Sequence, residues 1–354
     1  MMERFELAPD YSVSRLIHGG WQFSAGHRLA DARLDDAVDV LMASADIGVT
    51  TFDCADIYTG VEELYGRFLQ AWSERGTGAP IQIHTKFVPD ASDLTDVDRA
   101  YVRRIVNRSL ERLGVERVDL VQFYWWLDEV PGMEDAACWL GELKDEGKIR
   151  HVAVTNLDAT RLGRIQDAGV DVVSNQVQYS ILDRRPEGAL AARCDGTGTH
   201  FIAFGTLAGG FLTDRWLGKP DPGIGGAEAH LANRSLVKYR LIIEEFGGWD
   251  VYQALLETLA DIARARDVEI SAVAVRFVLD QPHVAAVVAG ATRLGQMLRN
   301  AEAFGVHLDA SDHARIRAVT DPAPGPAGDV FELERDRDGP HGRIMKYDLN
   351  RTTP

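Results

Sequence analysis

The stretch TTFDCADIYTGVEELYG, residues 50–66, ends an apolar, β-favouring run on Asp53 and sets Tyr58 on the short turn before a helical pattern that starts around Val61. The next apolar run, IQIHTKF over 81–87, carries Lys86 near its end. These three side chains are the parts of a proton donor. A phenol is a weak acid near neutrality, with an ordinary pKa of about 10. A neighbouring ammonium stabilises the phenolate and lowers that value, while a carboxylate holds the ammonium in place and offsets the cost of burying it. A phenol so tuned gives a proton to a carbonyl oxygen or takes one from an alcohol. A single buried tyrosine usually just packs, and an Asp–Lys pair is usually structural; their joint placement on successive run ends is what favours chemistry. Unpaired and desolvated, the same lysine would be the Schiff-base nucleophile of a barrel aldolase, but Asp53 nearby keeps it charged and disfavours that use. No HxH or HExxH spacing occurs, so no metal centre is expected, and His18, His84 and His151 read as core or surface histidines.

Side chains that act together need elements whose ends meet. The apolar runs are SRLIHGG (14–20), VTTFDCAD (49–56), IQIHTKF (81–87), RVDLVQFYWW (117–126), RHVAVTN (150–156), VDVVSNQVQ (170–178), THFIAFGTL (199–207) and VAAVVAGAT (284–292), with helix-spaced patterns between many of them. Near-continuous apolar strands alternating with helices make a parallel sheet covered by helices. Eight of them fit a closed (β/α)8 TIM barrel, with a doubly wound open sheet as the alternative. HGGWQF, after the first run, has adjacent glycines but not GxGxxG, which disfavours the open sheet. Barrel chemistry sits at the carboxyl ends of the strands. There stand Asp53 with Tyr58, Lys86, Tyr124 with Trp125 and Trp126, Thr155 with Asn156, Gln176, and Phe204 with Gly205. Trp21, Trp125 and Trp126 suggest flat apolar walls, although alternation lets only one of the last two face the mouth and core packing suits Trp126 equally well.

The chain has 354 residues, 45% hydrophobic and 26% charged, as expected of a globular enzyme with an ample core. Its formal net charge of −16 disfavours nucleic acid as a partner, because phosphate binding needs a basic surface. Three widely spaced cysteines, Cys54, Cys138 and Cys194, without a CxxC pair, indicate a reduced, cytoplasmic protein. No apolar h-region opens the chain and no run is long enough to span a membrane. Residues 208–250 form a long, weakly periodic loop after strand seven. The barrel is expected over 1–320, with 321–354, rich in proline and glycine and then charged, as a C-terminal extension packing on it.

FDCADIY is similar to the aspartate-to-tyrosine segment of the aldo-keto reductases, and IHTKF resembles the strand that carries their lysine. SLERLGVERVDLVQFYWW, LKDEGKIRHVAVTN, VSNQVQYS and VVAGATRLGQMLRN resemble later segments of that family, in the same order and over almost the whole chain. The resemblance implies a barrel oxidoreductase that binds an extended nicotinamide dinucleotide without a Rossmann fold. It implies catalytic positions for Asp53, Tyr58 and Lys86, with Tyr124 in the fourth, and places Asp53 beside the cofactor as well. Thr155, Asn156 and Gln176 would hold the nicotinamide carboxamide, and Phe204 would stack on its ring. Gly20 and Trp21 would lie near cofactor and substrate. Gly205, Leu207 and Gly209 would begin a loop over the pyrophosphate, and Gly290, Thr292, Arg293, Gln296 and Asn300 the stretch at the adenosine end. A small carbonyl compound or its alcohol would lie among Trp21, Tyr58, Tyr124 and Trp125.

Tyr124 departs from the resemblance, which implies histidine there. A tyrosine still donates a hydrogen bond but does not become a cation near neutrality. Three readings follow: a working reductase with altered preference, a slow enzyme, or a nicotinamide-binding sensor or scaffold with little turnover. The retained Asp53, Tyr58 and Lys86 favour the first. Arg293 could meet a 2′-phosphate with a guanidinium beside helix-terminal amides, so NADP(H) is expected over NAD(H). That preference is modest, because Gly290 and Ala291 stand where the resemblance implies a lysine.

Overall fold

In this computed structural model residues 2–25, 34–224, 231 and 234–350 are described. The strands are β1 (Arg4–Ala8), β2 (Tyr11–Ser14), β3 (Leu16–Gly19), β4 (Thr51–Asp53), β5 (Gln82–Phe87), β6 (Val118–Phe123), β7 (Ile149–Thr155), β8 (Val172–Gln178), β9 (His200–Phe204) and β10 (Val284–Gly290). β3 to β10 form a closed barrel in sequence order, and β10 pairs in parallel with both β9 and β3, through Val288↔Phe204 and Gly290↔Gly19. That second pairing excludes the open sheet. The helices are α1 (Leu34–Asp46), α2 (Val61–Glu74), α3 (Arg99–Leu113), α4 (Met133–Asp145), α5 (Ala159–Asp167), α6 (Ala189–Cys194), α7 (Arg234–Phe246), α8 (Trp249–Ala265), α9 (Ile270–Leu279), α10 (Leu294–Glu302), α11 (Ala310–Thr320) and α12 (Glu332–Arg335). The fold is the expected (β/α)8 barrel.

Local chemistry sets the element ends. Asp98 accepts a bond from Tyr101 N (2.7 Å) to open α3, and Gly114, with a φ of 67°, closes it. Asp158 opens α5 in the same way by accepting from Arg161 N (2.8 Å), as its sequence position suggests. Every residue of β8 is buried, as expected where side chains on one face fill the barrel and those on the other meet helices. Fully buried Phe52, Phe68, Phe87, Phe123 and Phe201 anchor this core, each contributing roughly 1.5–3 kcal/mol on burial.

Three features differ from the sequence reading. β1 and β2 form an antiparallel hairpin turned at Asp10, whose φ is 61°. Its Leu7, Tyr11 and Val13 pack with Ile17, Leu120, Ala153, Val173, Ile202, Ala285 and Ala286, sealing the barrel at the end where the strands begin. The segment 208–250 contains a full helix, α7, because Tyr239, Ile242, Ile243 and Phe246 make a buried stripe at helical spacing among charged residues. The sequence pattern predicts a helix beginning near Pro186; the chain instead makes a 3₁₀ turn (Arg185–Glu187) before the short α6.

Beyond α11 the chain runs back over the barrel face where the strands end. Val330 and Phe331 join the main core. The Tyr347 ring lies 5.0 Å from that of Trp126, and Asn350 donates to Val88 O (2.8 Å) and, through its backbone, to Asp90 Oδ1 (2.8 Å). Among the described residues no helix is long and apolar enough to cross a membrane.

Candidate active site

β4 and β5 pair in register, so Asp53 at the end of one and Lys86 near the end of the other reach into the same mouth. Lys86 Nζ donates to Asp53 Oδ1 (2.9 Å), Asp53 Oδ2 (2.7 Å) and Cys54 O (2.8 Å), which uses all three ammonium protons. Asp53 Oδ1 also accepts from Gln122 Nε2 (2.8 Å) on β6 and Gln176 Nε2 (2.7 Å) on β8. One carboxylate thus ties four barrel strands together. Burial alone would pull the Lys86 ammonium down, but the Asp53 charge and its hydrogen bonds outweigh it, and the pKa is raised above the ordinary lysine value. Lys86 is therefore a fixed cation and not a free amine.

Tyr58 sits half-buried on the β4–α2 turn, with Lys86 Nζ 5.1 Å from its ring centre and the Trp21 ring 4.8 Å away. Burial is the largest influence and pushes the hydroxyl up to about 12, while Lys86 pulls it downward, as expected, as the next contribution. The phenol is thus protonated at neutral pH, and its burial makes it a weaker acid than a free tyrosine.

Tyr124, just past β6, is 3% exposed and its hydroxyl has no hydrogen-bond partner among the described residues. Burial pushes it up to about 12 as well, and the charged groups that act on it are Arg335, Arg161 and Glu334. Its ring meets Trp126 edge-on at 4.8 Å and Phe331 at 6.0 Å, with the Arg335 guanidinium 5.1 Å over it. Trp125, expected as a substrate wall, points elsewhere. It is 1% exposed, stacks on Phe123 and donates to Leu127 O (3.0 Å) and Val130 O (3.1 Å), so its indole belongs to the β6–α4 connection. Trp126 takes the side beside Tyr124.

The residues expected to hold a dinucleotide line one path. Gly20 donates to Asp53 O (2.7 Å), and a Cβ there would meet Tyr65 Oη at 2.7 Å and Asp53 O at 3.0 Å, so no side chain fits. Thr155 Oγ1 donates to Gln176 O (3.0 Å), and Asn156, held at a φ of 55°, keeps a buried Oδ1 without a partner. The Phe204 ring has Lys238 Nζ 5.3 Å from its centre. Gly205 and Gly209, with φ of 73° and 65°, flank Leu207 and let the β9 loop pass close to Tyr239 of α7. At the other end Gln296 Oε1 accepts from Thr292 N (2.9 Å) and Arg293 N (3.2 Å), closing the first turn of α10. Gly290 ends β10 beside Gln22, Asn300 is buried, and Arg293 is exposed next to exposed Leu294 and Leu298.

Sequence reasoning missed Gln122, which the alternation of VDLVQF turns into the barrel, where a buried amide needs a partner. It also missed the tail. Arg335 Nη1 donates to Trp125 O (2.9 Å) and Trp126 O (3.2 Å), and Nη2 to Asn156 O (2.8 Å), so α12 is anchored across the ends of β6 and β7. Beside it Glu334 pairs with Arg185 (3.1 Å), which also pairs with Asp183 (2.7 Å), all three buried.

The sequence pattern of the aldo/keto reductase family matches residues 15–321. Protein tas of Escherichia coli is 29% identical, with 88% of this chain and 96% of that protein covered. The NADH-specific methylglyoxal reductase of Escherichia coli is 24% identical over the same shares. Among solved structures, an aldo-keto reductase from Klebsiella pneumoniae in complex with NADPH superposes with a TM-score of 0.66 at 21% identity, covering 93% of this chain and 97% of that one. The chain belongs to the aldo/keto reductase family and is an oxidoreductase.

Proposed function

We propose that this protein reduces an aldehyde or ketone with NADP(H), Tyr58 giving the proton to the carbonyl oxygen. The observation that carries this reading is the Asp53–Lys86 pair beside Tyr58: the cation is held by Asp53 and Cys54 and acts on the phenol chiefly through its charge. As negative charge gathers on the carbonyl oxygen, Tyr58 donates, and the fixed Lys86 charge stabilises the phenolate left behind. Tyr58 enters the reduction protonated, and the Lys86 charge offsets part of the burial that makes it a weaker acid. Asp53 holds Lys86, and Gln122 and Gln176 hold Asp53.

The residues on the path fit a dinucleotide. Asn156 Oδ1, buried and without a partner among the described residues, suits a carboxamide N–H, and exposed Arg293 suits a 2′-phosphate. When bound, the nicotinamide supplies the hydride. One relative is named for NADH and one solved structure holds NADPH, so the family resemblance does not decide between them; Arg293 favours NADP(H). A second reading, a nicotinamide-binding sensor or scaffold with little turnover, is favoured by α12 lying across Tyr124. Loss of 340 nm absorbance on a panel of aldehydes and ketones separates the two. Tyr58→Phe is expected to lower that rate by about 10² to 10⁴ while NADPH binding, read by fluorescence, stays near the parent value. Unchanged turnover in Tyr58→Phe, or cofactor binding without turnover on the whole panel, goes against the reductase.

A further inference from the structure

Three buried polar atoms without partners among the described residues lie on one wall of the mouth: Tyr124 Oη, Asn156 Oδ1 and Arg335 Nε. Their residues are in direct contact, since Arg335 covers the Tyr124 ring and donates to Asn156 O. Native chains leave few buried polar atoms unpaired, and a cluster of them marks a place where a ligand completes the bonding. Asn156 Oδ1 is the acceptor already assigned to the cofactor. The other two are donors, and both face the tail side of the mouth.

Arg335 differs from the arginines around it. Arg185 is bound by Asp183 and Glu334, and Arg161 by Asp128 and Asp158. Arg335 pairs with no carboxylate among the described residues, although acids outnumber bases 54 to 38 and Glu334 is its neighbour in sequence. Of the five guanidinium N–H groups three go to backbone carbonyls; those left are the one on Nε and one on Nη2, the donors used in side-on binding of a carboxylate. The three carbonyls hold the fork, and the guanidinium carbon lies 5.1 Å from the centre of the Tyr124 ring.

We infer that Arg335, brought from the C-terminal extension, is a specificity-determining residue that selects carbonyl substrates bearing a carboxylate: the substrate class is an oxo acid, with Tyr124 Oη as a second donor to it. This rests on the carbonyl-reductase reading above. The planar pair of donors suits two coplanar oxygens better than a tetrahedral phosphate. Because the chain carries a formal charge of −16, an anionic substrate needs such a local cation to be retained.

The test compares matched probes with NADPH: 4-oxobutanoate against butanal, and phenylglyoxylate against acetophenone, with glyceraldehyde 3-phosphate against glyceraldehyde as the phosphate arm. The parent protein is expected to prefer each oxo acid by roughly tenfold or more in kcat/KM, the scale of a charge-assisted pair. Arg335→Met should raise KM for the oxo acids by about that factor and leave kcat/KM for butanal within about twofold, and Arg335→Lys should fall between. Guanidinium ion at low millimolar concentration should restore part of the loss in Arg335→Met. Equal kcat/KM for charged and neutral probes in the parent, a larger preference in the phosphate arm, or an equal loss on both probes in Arg335→Met overturns the inference. Should the variants fail to fold, the parent comparison alone decides. Turnover of butanal with no oxo-acid preference defeats only this inference, whereas no turnover of any probe defeats the reductase reading beneath it.

Discussion

Replacing Lys86 by methionine tests whether the Asp53–Lys86 pair is the structural centre of the site as well as its source of charge. Both side chains are nearly enclosed, 6% and 4% exposed, so water cannot take over when one is lost. The substitution removes three hydrogen bonds and leaves the Asp53 carboxylate with only the Gln122 and Gln176 amides as donors. Breaking a buried pair costs about 3–5 kcal/mol. Two remaining neutral donors put the expectation near the low end, about 3 kcal/mol. At roughly 2 °C per kcal/mol for a large domain, the thermal midpoint should fall by about 6 °C at pH 7. Asp53→Asn/Lys86→Met, in which no charge is stranded, should regain part of that loss. The folded Lys86 pKa is raised above 10.5, so its contribution is complete below 10.5 and is lost as pH climbs through the raised value. The gap between parent and variant should therefore be flat from pH 6 to 9 and narrow in stronger alkali. Circular dichroism melts of the cofactor-free chain read all of this. A Lys86→Met midpoint within a degree of the parent, with no recovery in the double variant, would refute the idea that Asp53 depends on this cation.

For Arg293→Ala, a weaker affinity for NADPH with little change for NADH is expected by fluorescence titration; equal losses, or none, sink its assignment to the 2′-phosphate. Tyr124→Phe deletes a hydroxyl that has no partner, so the melting point should hold, while turnover should drop less than in Tyr58→Phe. A loss of about 2–4 kcal/mol of transition-state stabilisation would match a donor to the carbonyl oxygen, and an unchanged rate would leave Tyr124 as a space-filling ring. Asp56, pushed up to about 7 by burial and then by Glu62, keeps a proton between about pH 4 and 7 that the unfolded chain releases. Stability from this group falls as pH rises through that window, so Asp56→Asn should flatten the profile and exceed the parent at pH 8; a less stable variant at pH 8 would show that its bonds to Val88 N and Asn350 outweigh its burial.

The barrel was legible because each strand carries its own signal. VAAVVAGAT is apolar on both faces, and only a helix-covered parallel sheet buries both. Asp53, Tyr58 and Lys86 were legible for a related reason, since a group at a strand end has its direction set by the strand. The hairpin was not, because RFELA and YSVS are too short and too polar to stand out from an N-terminal coil, and their value lies in a plug formed with strands far away in sequence. Trp125 and Trp126 show the limit of alternation. It correctly allowed only one indole at the mouth, but beyond Phe123 the chain has left the strand, and two carbonyls, Leu127 O and Val130 O, decide which one turns inward.

The tail was opaque for a deeper reason. GDVFELERDRDGPHG reads as a charged, turn-rich segment whose arginines and acids are ordinary solvent-facing residues. Its meaning lies in pairings with residues about 150 to 210 positions away: Glu334 with Arg185, and Arg335 with the carbonyls of Trp125 and Trp126. Gly342 shows how closely this segment is fitted, since a Cβ there would run into the backbone of Asp336 and Arg337. Phe331 enters the core from a φ of 63°, a conformation a bulky residue keeps only when packing over-determines it. A disordered solvating tail would show none of these costs. The strain at Phe331, the buried Arg185–Glu334 pair and the guanidinium spent on strand-end carbonyls are all incurred where the extension meets the strand ends. The proposed division of labour gives the barrel strands the proton chemistry and the extension the choice of molecules that reach it.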